Sequence, residues 1–114
     1  MTALRQDLKV EQGADFRFVV DVALAGAPAS IAGFTAKMQV RQYKEDVDFL
    51  AEYTTENGTV TVNASTSQVV LNVPAAETAD YDWPTGLYDL VLTGGGKSYR
   101  LMEGRVTVSP SVTR

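Results

Sequence analysis

The sequence predicts an all-β fold, a single antiparallel β-sandwich of about eight short strands with one short helical turn. Apolar and polar residues alternate with a period of two in most segments. Turn-forming clusters of Gly, Pro, Asn and Ser separate these segments at roughly ten-residue intervals. We assign residues 1–114 to one domain with a short extended tail at 110–114.

Three strands are predicted in the first third of the chain. Leu8 and Val10 indicate a short opening strand. In residues 16–22 and 34–41, apolar side chains occupy every second position and polar ones fill the positions between, as half-buried antiparallel strands do. The segment 25–30 between them is rich in Ala, Gly and Pro and is predicted to form a turn.

The middle of the chain is less regular. Residues 42–53 are charged enough for an exposed loop, while their second half also fits a strand that rejoins the sheet. Asn57 and Gly58 form the dipeptide most typical of tight hairpins, because both residues tolerate positive φ. We therefore predict a hairpin here, followed by strands at 58–63 and 68–73.

The helical turn is predicted at 74–80, where Pro74 is suited to a helix start and β-branched residues are scarce. A strand at 87–93 follows, and the three glycines at 94–96 predict a hairpin tip. The series ends in a last strand that reaches about Ser109, because Pro110 has no N–H to donate to a neighbour.

The last strand has two interpretations. Tyr99 and Leu101 lie at odd positions, whereas Val106 and Val108 lie at even ones. A β-bulge near Gly104 would account for this change of phase. Alternatively, Met102 begins a series of even-numbered residues on one face, which continues with Gly104, Val106 and Val108 and needs no bulge.

Composition limits the chemistry that the protein can perform. The chain has no Cys and no His, so a Ser-His-Asp triad, a Cys-His dyad and imidazole or thiolate metal sites are excluded. Loosely spaced acids near 77–89 lack the spacing of a calcium loop. We expect no enzyme activity, no catalytic residues, no metal site and no cofactor.

Charge and hydropathy bear on partners and location. The net charge is −4, from 14 acidic and 10 basic residues, which argues against nucleic acid as a partner. No apolar run approaches the roughly 20 residues of a membrane-spanning helix. The first ten residues contain no apolar signal region, so synthesis and folding in a cytoplasm are expected.

Two groups of residues are candidate binding sites. The first and last strands could pair with a neighbouring chain if they lie at sheet edges; with the tail, they give the candidate interface residues Leu8, Val10, Val106, Val108, Val112 and Arg114. Tyr81, Trp83 and Tyr88 could form a platform for stacking on sugar rings. The preferred interpretation of these aromatics is that they hold a loop against the core.

The order of segments resembles a known family. The most specific segments are "EQGADF", "IAGFTAKMQVR", "GLYDLVLT" and "LMEGRVTVSPSVTR". Together they resemble small structural proteins of tailed-bacteriophage virions, related to the N-terminal domain of phage baseplate upper proteins. The similarity extends from about residue 8 to residue 114.

This resemblance implies an immunoglobulin-like or jelly-roll-like sandwich fold and no catalytic activity. It also implies a place in a virion, for a protein made in the host cytoplasm. The expected role is that of a tail, baseplate or fibre adaptor that contacts other virion proteins and occurs in several copies per particle. A capsid decoration protein is the alternative, and a glycan-binding sandwich module is the second alternative.

Overall fold

The computed structural model describes residues 4–24, 27–28 and 30–113, and this part of the chain contains eleven strands and one short helix. The strands are β1 (Leu4–Arg5), β2 (Leu8–Glu11), β3 (Phe16–Asp21), β4 (Ala23–Leu24), β5 (Ala27–Pro28), β6 (Thr35–Arg41), β7 (Ala51–Thr54), β8 (Val60–Asn63), β9 (Gln68–Val73), β10 (Thr85–Gly94) and β11 (Lys97–Ser109), and the helix is α1 (Ala75–Thr78). Within these residues, no helix is long and apolar enough to cross a membrane.

The strands form a sandwich, which confirms the predicted all-β class. In the larger sheet the order is β1 and β2, then β11, β10, β6 and β7; in the smaller sheet it is β3, β9 and β8. This is the order of an immunoglobulin-like sandwich rather than that of a jelly roll. In immunoglobulin lettering, β11, β10, β6 and β7 are strands G, F, C and C′, and the facing strands β3, β9 and β8 are B, E and D. All pairs are antiparallel except those of β1 and β2, which run parallel to β11.

The core lies between the two sheets and follows the predicted alternation. On β6, Ala36, Met38 and Val40 are buried, whereas Lys37 between them is exposed and Gln39 partly exposed. The largest fully buried side chains come from both sheets and their connections: Tyr53, Ile31, Met38, Leu71, Leu90, Leu92 and Met102. The core therefore forms as the period-two pattern predicts.

The two interpretations of the last strand are resolved by a bulge at Leu101. Leu90 lies opposite Met102 and Val91 opposite Arg100, so Leu101 is the additional residue on β11. Leu101 and Met102 are consequently both buried, and the even phase begins at Met102. The prediction of a bulge at Gly104 is wrong, and Gly104 belongs to the regular series.

The turn at Asn57 and Gly58 also differs from the prediction. Gly58 has φ +83°, as the dipeptide suggests, but the flanking strands do not pair with each other. β7 pairs with β6 in the larger sheet, whereas β8 pairs with β9 in the smaller one. The segment is therefore a crossing between the sheets and not a hairpin.

Two further turns agree with the sequence, while the turn predicted at 25–30 lies partly outside the described residues. Gly95 and Gly96, both with positive φ, form a two-residue hairpin between β10 and β11. Residues 64–67 connect β8 to β9 in a second hairpin. The helical turn is confirmed as α1, and the ambiguous stretch 42–53 divides into a loop over 42–50 and the strand β7.

Candidate functional site

Four of the six predicted interface residues are part of the core. Leu8, Val10, Val106 and Val108 are all at most 6% exposed, so their side chains are not available to a partner. The closing strand β11 is not an edge, because β10 lies on one side of it and β1 and β2 lie on the other. The expectation that β11 could pair with a neighbouring chain is therefore wrong.

The tail has one exposed candidate. Val112 is 94% exposed, while the preceding residue is held in place because the Ser111 N–H donates to Gln12 Oε1 at 2.9 Å. Arg114, the last predicted interface residue, lies outside the described residues. The tail is thus fixed at its start and presents Val112 to solvent.

The turn at 11–15, within the segment "EQGADF", has a structural role. Gln12 Nε2 donates to the Tyr81 carbonyl at 2.9 Å, in addition to the bond that Gln12 accepts from the tail. Asp15 Oδ1 accepts from the Ala75 N–H at 2.7 Å and so satisfies a free donor at the start of α1. These bonds connect the tail, the helix and the loop after it, which accounts for the residue types in this turn.

The predicted aromatic platform is buried. The Tyr81 and Trp83 rings contact each other at 5.1 Å between centroids, and both side chains are at most 9% exposed. Tyr88 is also buried, and its hydroxyl donates to the Gln6 carbonyl. No ring face is presented for sugar stacking, so these residues hold loops against the core, as the preferred interpretation has it.

Burial raises the pKa of these tyrosines. The Tyr53 and Tyr81 hydroxyls are hydrogen-bonded to each other, and Tyr81 also donates to Glu77 Oε2 at 2.8 Å. Loss of water around the ring raises the pKa of Tyr53 to about 12, and the same effect raises the pKa of Tyr81 and Tyr88 above the usual value. These hydroxyls remain protonated near neutral pH and serve as structural hydrogen bonds.

The most prominent surface feature is the loop of residues 42–50, which connects β6 to β7. In the described part of the chain, five large apolar side chains are exposed, and three of them lie in this loop. Val47 is 92% exposed, Tyr43 57% and Phe49 48%. Such a concentration of apolar side chains in one exposed segment is typical of a binding surface.

Arg41, at the end of β6, fixes the shape of the 42–50 loop. Its Nη1 donates to the carbonyl oxygens of Asp46 at 3.0 Å and Val47 at 2.6 Å. The guanidinium also lies 6.0 Å from the centre of the Phe49 ring, within range of a cation–π contact. Because one planar guanidinium contacts the backbone at 46–47 and the Phe49 ring, this part of the loop is ordered before any partner binds.

Arg41 is itself held by a row of polar side chains on the outer face of the larger sheet. Its Nη2 donates to Gln39 Oε1 at 2.6 Å, and Gln39 Nε2 donates to Glu52 Oε2 at 2.5 Å. Lys37 Nζ lies 3.6 Å from the same Glu52 oxygen. The network connects β6, β7 and the loop, so the orientation of the loop depends on the face of the sheet.

The end of the 42–50 loop is anchored in the core by Leu50. The Leu50 N–H donates to the Val40 carbonyl at 2.6 Å, and its side chain packs against the core. Gly86 makes this packing possible, because a Cβ there would lie 2.6 Å from Val40 Cγ1 and 3.2 Å from Leu50 Cδ1. The loop therefore has an anchor at each end, Arg41 and Leu50.

A shallow depression of about 230 Å³ lies beside this loop on the outer face of the sheet. Its charged walls include Arg100, which lies 3.5 Å from Asp89 and 3.6 Å from Glu103. Arg41 and Lys44 also line it, so three basic side chains face two acidic ones and the excess is a single positive charge. Within the described residues, no group of three or more acidic, His or Cys side chains is placed to hold a metal ion.

The neighbouring edge strand β7 is closed to backbone pairing by Asn57. Asn57 Nδ2 donates to the Glu52 carbonyl at 3.2 Å, and Asn57 Oδ1 accepts from the Thr54 N–H at 3.2 Å. The side-chain amide thus occupies the positions that an added strand would use. A partner at this end of the sheet must bind through side chains, and the exposed ones belong to the 42–50 loop.

Sequence reasoning missed this loop because its charges conceal its apolar residues. Tyr43, Val47 and Phe49 are separated by Lys, Glu and Asp, so no periodicity appears. The available signal was three large apolar residues in a segment that otherwise indicates a solvated loop.

Comparison with protein-family models finds no match, and no curated protein matches the chain.

Proposed function

We propose that the protein is a non-enzymatic structural component of a tailed-bacteriophage virion, an adaptor in the tail, baseplate or fibre junction. The observation that supports this proposal most directly is the 42–50 loop, which exposes Tyr43, Val47 and Phe49 while Arg41 fixes its backbone. The resemblance of the sequence to phage structural proteins supplies the virion context.

The partner surface can be described from the chemistry of the loop. Burying a side chain such as Val47 or Phe49 stabilises a complex by about 1.5–3 kcal/mol each, before the costs of association. The loop also has three acidic residues, Glu45, Asp46 and Asp48, against a single base, Lys44. The matching surface is an apolar depression flanked by basic side chains on a neighbouring virion protein.

The experiment is incorporation into particles. A tagged copy is expressed while particles form in the host, the particles are purified on a density gradient, and the tagged chain is quantified by immunoblot. We expect the wild-type chain to co-purify with particles. Val47→Ser, which removes an exposed apolar contact without touching the core, should reduce incorporation several-fold.

Leu4→Ser is the matched control, since it also replaces an exposed large apolar side chain with serine but lies outside both the 42–50 loop and the candidate interface residues. Equal incorporation of wild type and Val47→Ser would contradict a role for the loop. Failure of the wild-type chain to appear in any particle would contradict the virion proposal.

The same gradient separates the tail adaptor from the capsid decoration alternative. A decoration protein covers the head lattice and is present in far more copies than a tail component, because copy number follows the symmetry of the structure that it joins. A band comparable with that of the major capsid protein would favour decoration, and a faint band found also on tails without heads would favour the adaptor.

A further inference from the structure

The exposed edge of the smaller sheet is formed by β3, and its hydrogen-bonding groups point away from the protein. In the described part of the chain, β3 pairs only with β9. The Val22 N–H donates to the Ser67 carbonyl, which indicates that even-numbered residues of this segment bond to β9. The backbone groups of the odd-numbered residues Arg17, Val19 and Asp21 therefore face outward.

A second bond supports this assignment. Asn72, opposite Arg17 in the β3–β9 ladder, donates its N–H to the Thr59 carbonyl on the other side of β9. In an antiparallel ladder, a residue whose backbone groups point away from its neighbour faces a residue that does the same. Arg17 thus presents a free N–H and C=O at the edge, unlike Thr54 on β7, which is covered by Asn57.

The side chains on this edge are complementary to themselves. Arg17 and Asp21 are exposed, Val19 lies half-buried between them, and all three share the outer face of the sheet. Within the described residues, neither Arg17 nor Asp21 makes an ion pair; Asp21 only accepts a hydrogen bond from Gln68 at 2.9 Å. A strand of the form Arg-x-Val-x-Asp matches a second copy of itself in the antiparallel direction.

We propose that two copies of this chain associate through β3, antiparallel, about a two-fold axis at Val19. In this register Val19 lies opposite Val19 of the second copy, and each Arg17 lies opposite an Asp21. Each opposed pair of outward residues exchanges two backbone hydrogen bonds, and the two charged pairs lie on either side of an apolar centre. The three-stranded sheet of one copy and that of the other then form one continuous six-stranded sheet.

The charges select this register among those that a two-fold axis allows. A shift toward the start of β3 places Arg17 opposite Arg17, and a shift toward its end places Asp21 opposite Asp21, both of which are repulsive. The two registers in between place Arg17 or Asp21 opposite Val19 of the second copy. Each of them also has one hydrogen-bonded residue pair fewer than the register centred on Val19. The other edge of this sheet, β8, has no charged residue and offers no comparable selection.

The packing of β3 is consistent with a second copy at its edge. Phe16 and Phe18 on the inner face are only partly buried, because no strand covers that side of the sheet. In the proposed register Phe18 lies opposite Val20 of the second copy, so that association removes apolar ring surface from water. The interface needs only β3 and does not depend on a role in a virion.

The test is an exchange of charges, measured by sedimentation velocity over a range of concentrations up to millimolar. Arg17→Asp places acids opposite acids, and Asp21→Arg places bases opposite bases, so each variant alone should associate at least about tenfold more weakly than wild type. A mixture of the two variants should form heterodimers, because both charged pairs are then restored. The double variant R17D/D21R should also associate like wild type.

Val19→Pro tests the backbone part of the proposal. Proline removes only the outward N–H of Val19, and a proline whose nitrogen faces solvent is tolerated on an edge strand. We expect a folded monomer, with folding checked by the far-ultraviolet circular dichroism spectrum. A wild-type chain that stays monomeric at millimolar concentration would overturn the proposal, as would single variants that dimerise like wild type or a mixture that stays monomeric.

Discussion

Gly104 provides the strictest test of how the first and last segments of the chain fit together. It lies on β11 beneath the link between β1 and β2, where a Cβ would come within 2.9 Å of both the Gln6 carbonyl carbon and Asp7 Oδ1. The Gln6 carbon is backbone and cannot rotate away. Gly104→Ala must therefore displace this link from β11.

The cost follows from the hydrogen bonds that hold the link. The Gln6 N–H donates to the Glu103 carbonyl at 2.9 Å, and the Arg105 N–H donates to Asp7 Oδ1 at 3.0 Å. The buried Tyr88 hydroxyl donates to the Gln6 carbonyl as well. Three bonds at about 1 kcal/mol each give a loss of about 3 kcal/mol in the free energy of unfolding.

Urea denaturation measures this loss directly, and thermal melting should show a decrease in Tm of about 12 °C for a domain of this size. Gly13→Ala is the control: its φ is +81° but a Cβ there has no atom within 4 Å, so it introduces only backbone strain of about 1–2 kcal/mol. A Gly104→Ala variant that is no less stable than Gly13→Ala would refute the steric argument.

Three further predictions concern the edge, the aromatic corner and the buried tyrosines. Asn57→Ala removes both backbone hydrogen bonds at the edge of β7 and should lower the free energy of unfolding by about 2 kcal/mol and promote aggregation. Asn63→Ala, at the end of β8, removes only a hydrogen bond from the Ser65 hydroxyl and should do neither. Trp83→Ala should cost about 3–5 kcal/mol in urea denaturation; a loss below 1 kcal/mol would contradict its role in packing. The folded-state pKa of Tyr53 is about 12 against 10.0 unfolded, so the contribution of Tyr53 to stability is retained below pH 10, and its ionisation in the unfolded state lowers the free energy of unfolding by up to about 2.7 kcal/mol as pH rises to 12, in addition to the losses from Tyr81 and Tyr88. Tyr53→Phe should show a smaller decrease over that range, and an unchanged slope would contradict the assignment.

The strands could be predicted from sequence because each buries one face only. The alternation on β6 and β10 directly reports which side chains face the core, and the glycines at 95 and 96 identify the turn between β10 and β11 without tertiary information. The parallel pairing of β2 with β11 could not be predicted, because strand direction depends on which distant segments meet. The same limit applies to Leu8 and Val10, whose pattern indicates a strand but not a buried one.

The location of the bulge shows where local patterns become insufficient. A glycine in a strand suggests a bulge, which made Gly104 the expected position. The structure uses Gly104 to let the Gln6–Asp7 link approach closely, and the additional residue is Leu101. A glycine in a strand can either form a bulge or allow another segment to approach closely. Which of the two applies depends on the segment that faces the glycine, and the local sequence does not identify that segment.

The edge strands β7 and β3 allow different contacts, and the difference lies in one side chain. On β7, Asn57 satisfies the outward backbone groups, so that backbone pairing is closed and the 42–50 loop is left as the accessible surface. Within the described residues no side chain covers the edge of β3, and Arg17 and Asp21 lie on its outer face. Edge charges normally discourage pairing with other chains, because most registers leave them unmatched. Here a single antiparallel register matches both, so the same two charges that disfavour indiscriminate aggregation would permit association with an identical chain.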